Sequence, residues 1–354
     1  MFTPERLTLA RKRRRLTKKG LAAKLDVTPH TVLRYESGDI TPPEEVVAKF
    51  AKILTFPIEF FYSDIVDEPQ ADAASFRSLT AMLAKERDAA LAAGSLAFLL
   101  SDWIDQRFDL PQVSLIELAG EDPEVAARSL RQEWALGERP VANMVHLLEA
   151  KGVRVFSLAE NTRTIDAFSM WRADRPFVFL NMMKTPEHSR FDAAHELGHL
   201  VLHKHGGPNG REAEDEANQF ASSFLMPASD VLATIPRIHT INQVIQLKKR
   251  WGVSVLALIH RLHRVGVMSP WQYRMFCIQA TELGYRNAEP FGAAREQSVV
   301  WQKVLTALWR ERVTKTEIAE ALHVPLQEIE NLLFGLAGQG DIEEKAKREL
   351  RLIE

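Results

Sequence analysis

The chain has 354 residues, 46% of them hydrophobic and 26% charged, with a formal net charge of −2 and a single cysteine, Cys277. That composition gives a globular protein with ample core and excludes a polycation and an internal disulfide, which fits a reducing compartment. The length predicts two or three domains, and the lack of an apolar run of about 18 residues or of a signal region predicts a cytoplasmic protein with no membrane contact.

Charge is uneven along the chain. Residues 1–40 hold ten Lys/Arg against four Asp/Glu, a local balance of +6. Thr17 is placed to cap a helix through Leu25, Asp26-Val27 makes a turn, and Thr28-Pro29 supplies an N-cap and first helical residue for a second helix. Two short helices on a tight turn form a helix-turn-helix, whose second helix enters the major groove. Val46, Val47, Phe50, Ile53 and Leu54 complete the core of a five-helix domain over residues 1–65. The stretch RLTLARKRRRLTKKGLAAKLDVTPHTVLRYESG closely resembles the XRE (Cro/C1-type) family, with Lys18 where that family usually has a glutamine. Its partner is expected to be double-stranded DNA. His30, Thr31 and Arg34 are the expected base readers, and Arg11, Arg15 and Lys18 the expected phosphate contacts.

Residues 67–75 (DEPQADAAS) read as a linker. Residues 66–94 are taken as linker and connecting helix, with helices expected at Leu79–Ala93 and Ser95–Phe108. Asp122-Pro123 starts another helix, and one over Val141–Lys151 ends at Gly152. Then the period changes: Val153–Phe156, Ala167–Trp171 and Phe177–Asn181 predict a small antiparallel sheet whose last strand edge pairs with an extended peptide substrate.

Ser189–His203 (SRFDAAHELGHLVLH) is the stretch that carries chemistry. His195 and His199 share one helical face and reach one metal ion, and Glu196 is the general base for a water that the metal activates. The third ligand is less direct. His205 stands at the metzincin distance, but Leu202 occupies the glycine position of that pattern. Beyond a Gly/Pro loop, REAEDEANQFASSFLMP predicts a second, antiparallel helix with Phe220, Phe224 and Leu225 buried. Glu216, four residues before Phe220, is the expected ligand, with Glu212 in reserve and Glu214 and Asp215 on a solvated face.

HELGHLVLH followed by ExEANxFASxxLMP resembles the ImmA/IrrE metallopeptidases, gluzincin-like proteases that cleave repressors. The resemblance implies a Zn²⁺ ligand at the glutamate before Ala217. It also implies a repressor as substrate and a role in switching on stress, phage-related or mobile-element genes. The zincin-like domain is assigned to residues 95–283. On the segment Trp251–Met268, His260 is a candidate oxyanion stabiliser. Residues 284–354 form a helical region in which Thr314–Glu330 repeats the helix-turn-helix cadence, with an acidic second helix (Glu328, Glu330) suited to packing or dimerisation. The fold expected is mostly α, of the α+β class. The expected function is a DNA-associated zinc endopeptidase, the alternative being an XRE-type regulator that senses a ligand or partner without proteolysis. A homodimer is left open.

Overall fold

The computed structural model describes residues 1–69, 83–158, 167–204, 210–285 and 289–337. His205, most of the 67–75 linker and the polar tail from Asp341 lie outside the described residues.

Four helices and a 3-10 turn at Ile58–Tyr62 build the N-terminal domain: α1 (Pro4–Arg13), α2 (Lys18–Leu25), α3 (Pro29–Glu36) and α4 (Glu44–Leu54). Both predicted caps form. Thr17 Oγ1 accepts from the Gly20 N–H at 3.0 Å and Thr28 Oγ1 from the Thr31 N–H at 3.1 Å, while Asp26 turns the chain with left-handed backbone at φ 58°. Phe50 centres the core, with the rings of Phe2, Tyr35 and Phe61 at 6.2, 5.8 and 6.0 Å.

The two helices expected over 79–108 are one, α5 (Ala84–Asp105). Gly94 does not break it. A Cβ at that position would meet Pro69 Cγ at 3.0 Å, so the glycine lets the chain leaving the first domain cross the helix. Ala89, Ala90, Ala92, Ala93 and Ala97 are buried, and α1 packs on α5. The alanine-rich stretch is therefore a central spine rather than a connector, and a domain boundary at 94/95 falls inside it.

Next come α6 (Pro123–Glu133), capped by Asp122, α7 (Met144–Ala150), and the strands β1 (Arg154–Ser157), β2 (Ala167–Arg172) and β3 (Arg175–Leu180). The sheet is mixed, in the order β1-β3-β2, with β1 parallel and β2 antiparallel to β3. A fully antiparallel sheet was expected, but the β2–β3 hairpin folds back so that β3 takes the centre. Its run Phe177–Leu180 is apolar on both faces, as a central strand requires. The edge strand near the H-E-x-x-H helix is thus β2, not the last strand.

The rest is helical: α8 (Pro186–Leu202), α9 (Arg211–Leu225), α10 (Ala228–Thr234), α11 (Ile241–Leu247), α12 (Val255–Arg264), α13 (Pro270–Glu282), α14 (Val299–Arg310), α15 (Lys315–Ala321) and α16 (Leu326–Leu333). No helix among the described residues is long and apolar enough to cross a membrane. Residue 284 is no clean boundary either. Glu289 pairs with buried Lys248 and caps α12 at Val255, and Glu296 caps α7 at Met144 and Val145. In return Glu149 of α7 receives the Val299 and Val300 N–H groups at the start of α14.

The acidic second helix of the C-terminal motif, α16, turns Ile329, Leu332 and Leu333 inward and packs on α5 and β1. Its Glu328 is only 2% exposed and receives Arg13 Nε at 2.7 Å and Arg14 at 2.5 Å, which clamps the end of α1. Removing one partner of a buried ion pair leaves the other uncompensated. Glu328→Ala should therefore destabilise the chain by about 3 kcal/mol in chemical denaturation. Exposed Glu330→Ala on the same helix should leave stability near wild type.

Candidate metal centre and DNA-reading helix

The H-E-x-x-H segment lies on α8, which starts at the Thr185 cap with Pro186 in its first turn. Helix α9 runs against it. Gly198 makes the close approach possible, since a Cβ there would sit 3.1 Å from the Phe220 ring and 3.3 Å from Ala217 Cα. The contact brings ligand atoms of His195, His199 and Glu214 within 4.8 Å of one another. His195 Nε2 is 3.1 Å from His199 Nε2 and 3.3 Å from Glu214 Oε2, and His199 Nε2 is 3.5 Å from Glu214 Oε1.

These separations correct the expected third ligand. Glu216 does not meet the histidine pair; its Oε2 lies 2.9 Å from His203 Nε2. The buried face of α9 is centred on Ala217, between Ala213 and Ala221 on one helical row and Phe220 and Phe224 on the next. At about 100° per residue, Glu214 stands roughly 60° to one side of that centre and Glu216 roughly 100° to the other. Taking Phe220 alone as the marker of the buried face selects the wrong flank. Glu212 is exposed, and Asp215 lines a neighbouring cleft rather than the triad.

The residues present fit a divalent cation. Nδ1 of His195 faces Asn218 Oδ1 at 3.2 Å, and Nδ1 of His199 faces His203 Nδ1 at 2.9 Å, so both rings turn Nε2 toward the same point. Glu214 Oε2 is buried there and finds no hydrogen-bond donor among the described residues. Two nitrogens and a carboxylate oxygen are a zinc donor set, and tetrahedral bonds of about 2.0–2.1 Å put ligands about 3.3 Å apart, close to the spacings seen. Burial lowers the pKa of His199 against the pull of Glu214, which favours the neutral, ligating form.

Glu196 is almost fully buried, and its Oε2 accepts from Ser169 Oγ on β2 at 2.7 Å. Trp171 Nε1 donates to the Leu200 carbonyl at 3.2 Å and ties the same strand to α8. Beside the centre, Phe191, Asp215, Asn218, Ser222, His260 and Arg264 line a cleft of about 1120 Å³. His260 thus faces the cleft, with Nδ1 2.9 Å from Tyr273 Oη, and is not one of the side chains gathered with His195 and His199. Ser169, Asn218 and His203 are site residues that the motif reading did not select. The pairing of β2 with α8 and the antiparallel run of α9 bring them in, and neither follows from local spacing.

In the N-terminal domain, His30 and Arg34 are exposed along α3, and the Thr31 hydroxyl lies 2.9 Å from that of Thr28. Arg11, expected at a phosphate, is instead engaged inside the domain. It is 7% exposed, donates to Glu36 Oε2 at 3.0 Å and to the Leu16 carbonyl at 2.8 Å, and so braces α1 to α3. Lys18 Nζ stands 3.6 Å from the same Glu36 with its side chain still 42% exposed, and Arg15 is half-buried in the turn after α1.

Residues 148–263, which hold the triad, Glu196 and the His203 pair, match the family model for the IrrE N-terminal-like domain, a peptidase family. Residues 5–59 match the model for a helix-turn-helix domain. No curated protein matches the chain. The chain thus joins a segment that matches a helix-turn-helix domain to one that matches the IrrE N-terminal-like domain of a peptidase family.

Proposed function

We propose that the protein is a DNA-associated zinc endopeptidase that cleaves a transcriptional repressor. The observation that carries this reading is the convergence of His195, His199 and Glu214, with Glu196 one residue from the first histidine on the same helix. His195 Nε2, His199 Nε2 and the Glu214 carboxylate would hold the ion. When bound, zinc supplies Lewis acidity toward a peptide carbonyl and makes water a better nucleophile at neutral pH. Glu196, oriented by Ser169, takes the proton from the attacking water and returns it to the leaving amine. Among the described residues the outer edge of β2 pairs with no strand, so an extended peptide has a row of main-chain partners beside α8. His260 joins the reading as a wall of the cleft that a bound substrate meets.

The test is intact-mass analysis of zinc-loaded protein with the helix-turn-helix repressor encoded nearest to it, with and without DNA carrying both sites. Zinc-dependent fragments of the repressor, formed faster on DNA, are expected. A repressor that stays whole under every condition leaves the regulator without proteolysis as the function.

DNA binding should depend strongly on salt, because the N-terminal excess of positive charge releases counterions from phosphates. In titrations of the full chain, Arg34→Ala should flatten the preference among sequences by about 1–3 kcal/mol, whereas Arg15→Ala should weaken all duplexes alike. Equal losses on every duplex for both variants would remove α3 as the reading helix.

A further inference from the structure

Glu216, His203 and His199 form a continuous chain of contacts across the α8–α9 interface. Glu216 Oε2 is 2.9 Å from His203 Nε2, and His203 Nδ1 is 2.9 Å from His199 Nδ1. A carboxylate only accepts, so Nε2 of His203 carries the proton in that bond. In a neutral imidazole the other nitrogen is then an acceptor. The proton between the two Nδ1 atoms therefore belongs to His199. That leaves Nε2 of His199 with its lone pair, and this is the atom turned toward His195 and Glu214. No other assignment of neutral rings satisfies both contacts.

We infer that Glu216 and His203 are positioning residues, which fix His199 in the tautomer and ring orientation that present Nε2 to the metal. The inference rests on the zinc reading above. It gives Glu214, Glu216 and Asn218 of ExEAN and the third histidine of HELGHLVLH separate tasks. Glu214 ligates, Asn218 orients His195, and Glu216 orients His199 through His203. Hydrogen-bonded partners of this kind hold the ring orientation and raise the basicity of the ligating nitrogen. The outer end of the relay reaches solvent, since the Glu216 side chain is 32% exposed while that of His203 is 12% exposed. The carboxylate charge is thus carried where water still reaches it.

The experiment is competition for zinc between a chromophoric chelator and the full chain, as wild type, His203→Leu, His203→Asn and Glu216→Gln. His203→Leu should weaken zinc binding about 10–100-fold, the range for loss of such a partner. His203→Asn should recover most of that, because an amide oxygen can stand where Nδ1 stood and accept from His199. Glu216→Gln, which keeps an acceptor and loses the charge, should fall between them. Proton NMR of zinc-loaded wild type should show a slowly exchanging downfield imidazole N–H that His203→Leu removes and His203→Asn restores, a signature that a purely packing role would not move. If His203→Leu does not fold, the part-exposed Glu216→Gln and the N–H signal carry the test. Zinc held equally by wild type, His203→Leu and Glu216→Gln, within about twofold, overturns the inference and leaves the metal reading standing. A wild type that holds no zinc overturns both.

Discussion

Glu214→Ala should reduce bound zinc from about one ion per chain to a small fraction, with an affinity loss larger than any change at Glu216 produces. Among the described residues, Glu214 is the carboxylate whose oxygens lie within 3.5 Å of both histidine Nε2 atoms. Two imidazoles alone make an incomplete site for an ion that takes three protein ligands in catalytic centres. Loss of Glu214 also removes a buried charge that the two histidines face, so the metal-free fold should survive the substitution. Glu216→Ala should retain zinc at reduced affinity, because it acts on His199 only through His203. Metal analysis after gel filtration distinguishes the two. Full zinc in Glu214→Ala together with its loss in Glu216→Ala would restore the assignment made from Phe220.

The second large effect concerns Glu196→Gln. The amide keeps the shape of the side chain and an oxygen that accepts the Ser169 hydroxyl, but it cannot take a proton. Zinc content should stay at wild type and peptide cleavage should fall by about 10²–10⁴-fold, the usual worth of a positioned general base. Ser169→Ala should show a smaller loss, since it frees the carboxylate to rotate without removing it. Cleavage at the wild-type rate by Glu196→Gln would mean that a different group accepts the proton.

Local chemistry made much of this molecule readable beforehand. Caps at Thr17, Thr28 and Asp122 announce helix starts because the side chain satisfies its own helix's N–H groups, and all three form. The histidine pair was equally legible, since positions four apart on any helix share a face. What escaped depends on a second element arriving from far along the chain. Glu214 or Glu216 is decided by a rotation of α9 that Gly198 and Ala217 set together. Arg11 looks like part of a basic run until Glu36 comes to cover it. Gly94 looks like a helix break until Pro69 crosses it, and the acidic helix of Glu328, legible as a packing element, shows its partners Arg13 and Arg14 only when it docks beside them. The parallel pairing of β1 with β3 is likewise a long-range choice that no turn residue encodes.

This docking also sets how the two domains are held together. The helix-turn-helix domain is packed on α5 and held through Glu328, so the IrrE-like domain is its fixed neighbour. On the proposed function, DNA binding would then place the cleft at a set distance and angle from the operator and favour a repressor bound at one spacing over the same repressor elsewhere.

The most direct measurement is an anomalous difference map at the zinc edge from crystals of the zinc-loaded full chain. One peak is predicted, about 2.0–2.2 Å from His195 Nε2, His199 Nε2 and a Glu214 oxygen. His203 and Glu216 should lie outside the coordination sphere in their present hydrogen bonds. A peak bonded to His203 or Glu216, or no peak at the histidine pair, would contradict the account.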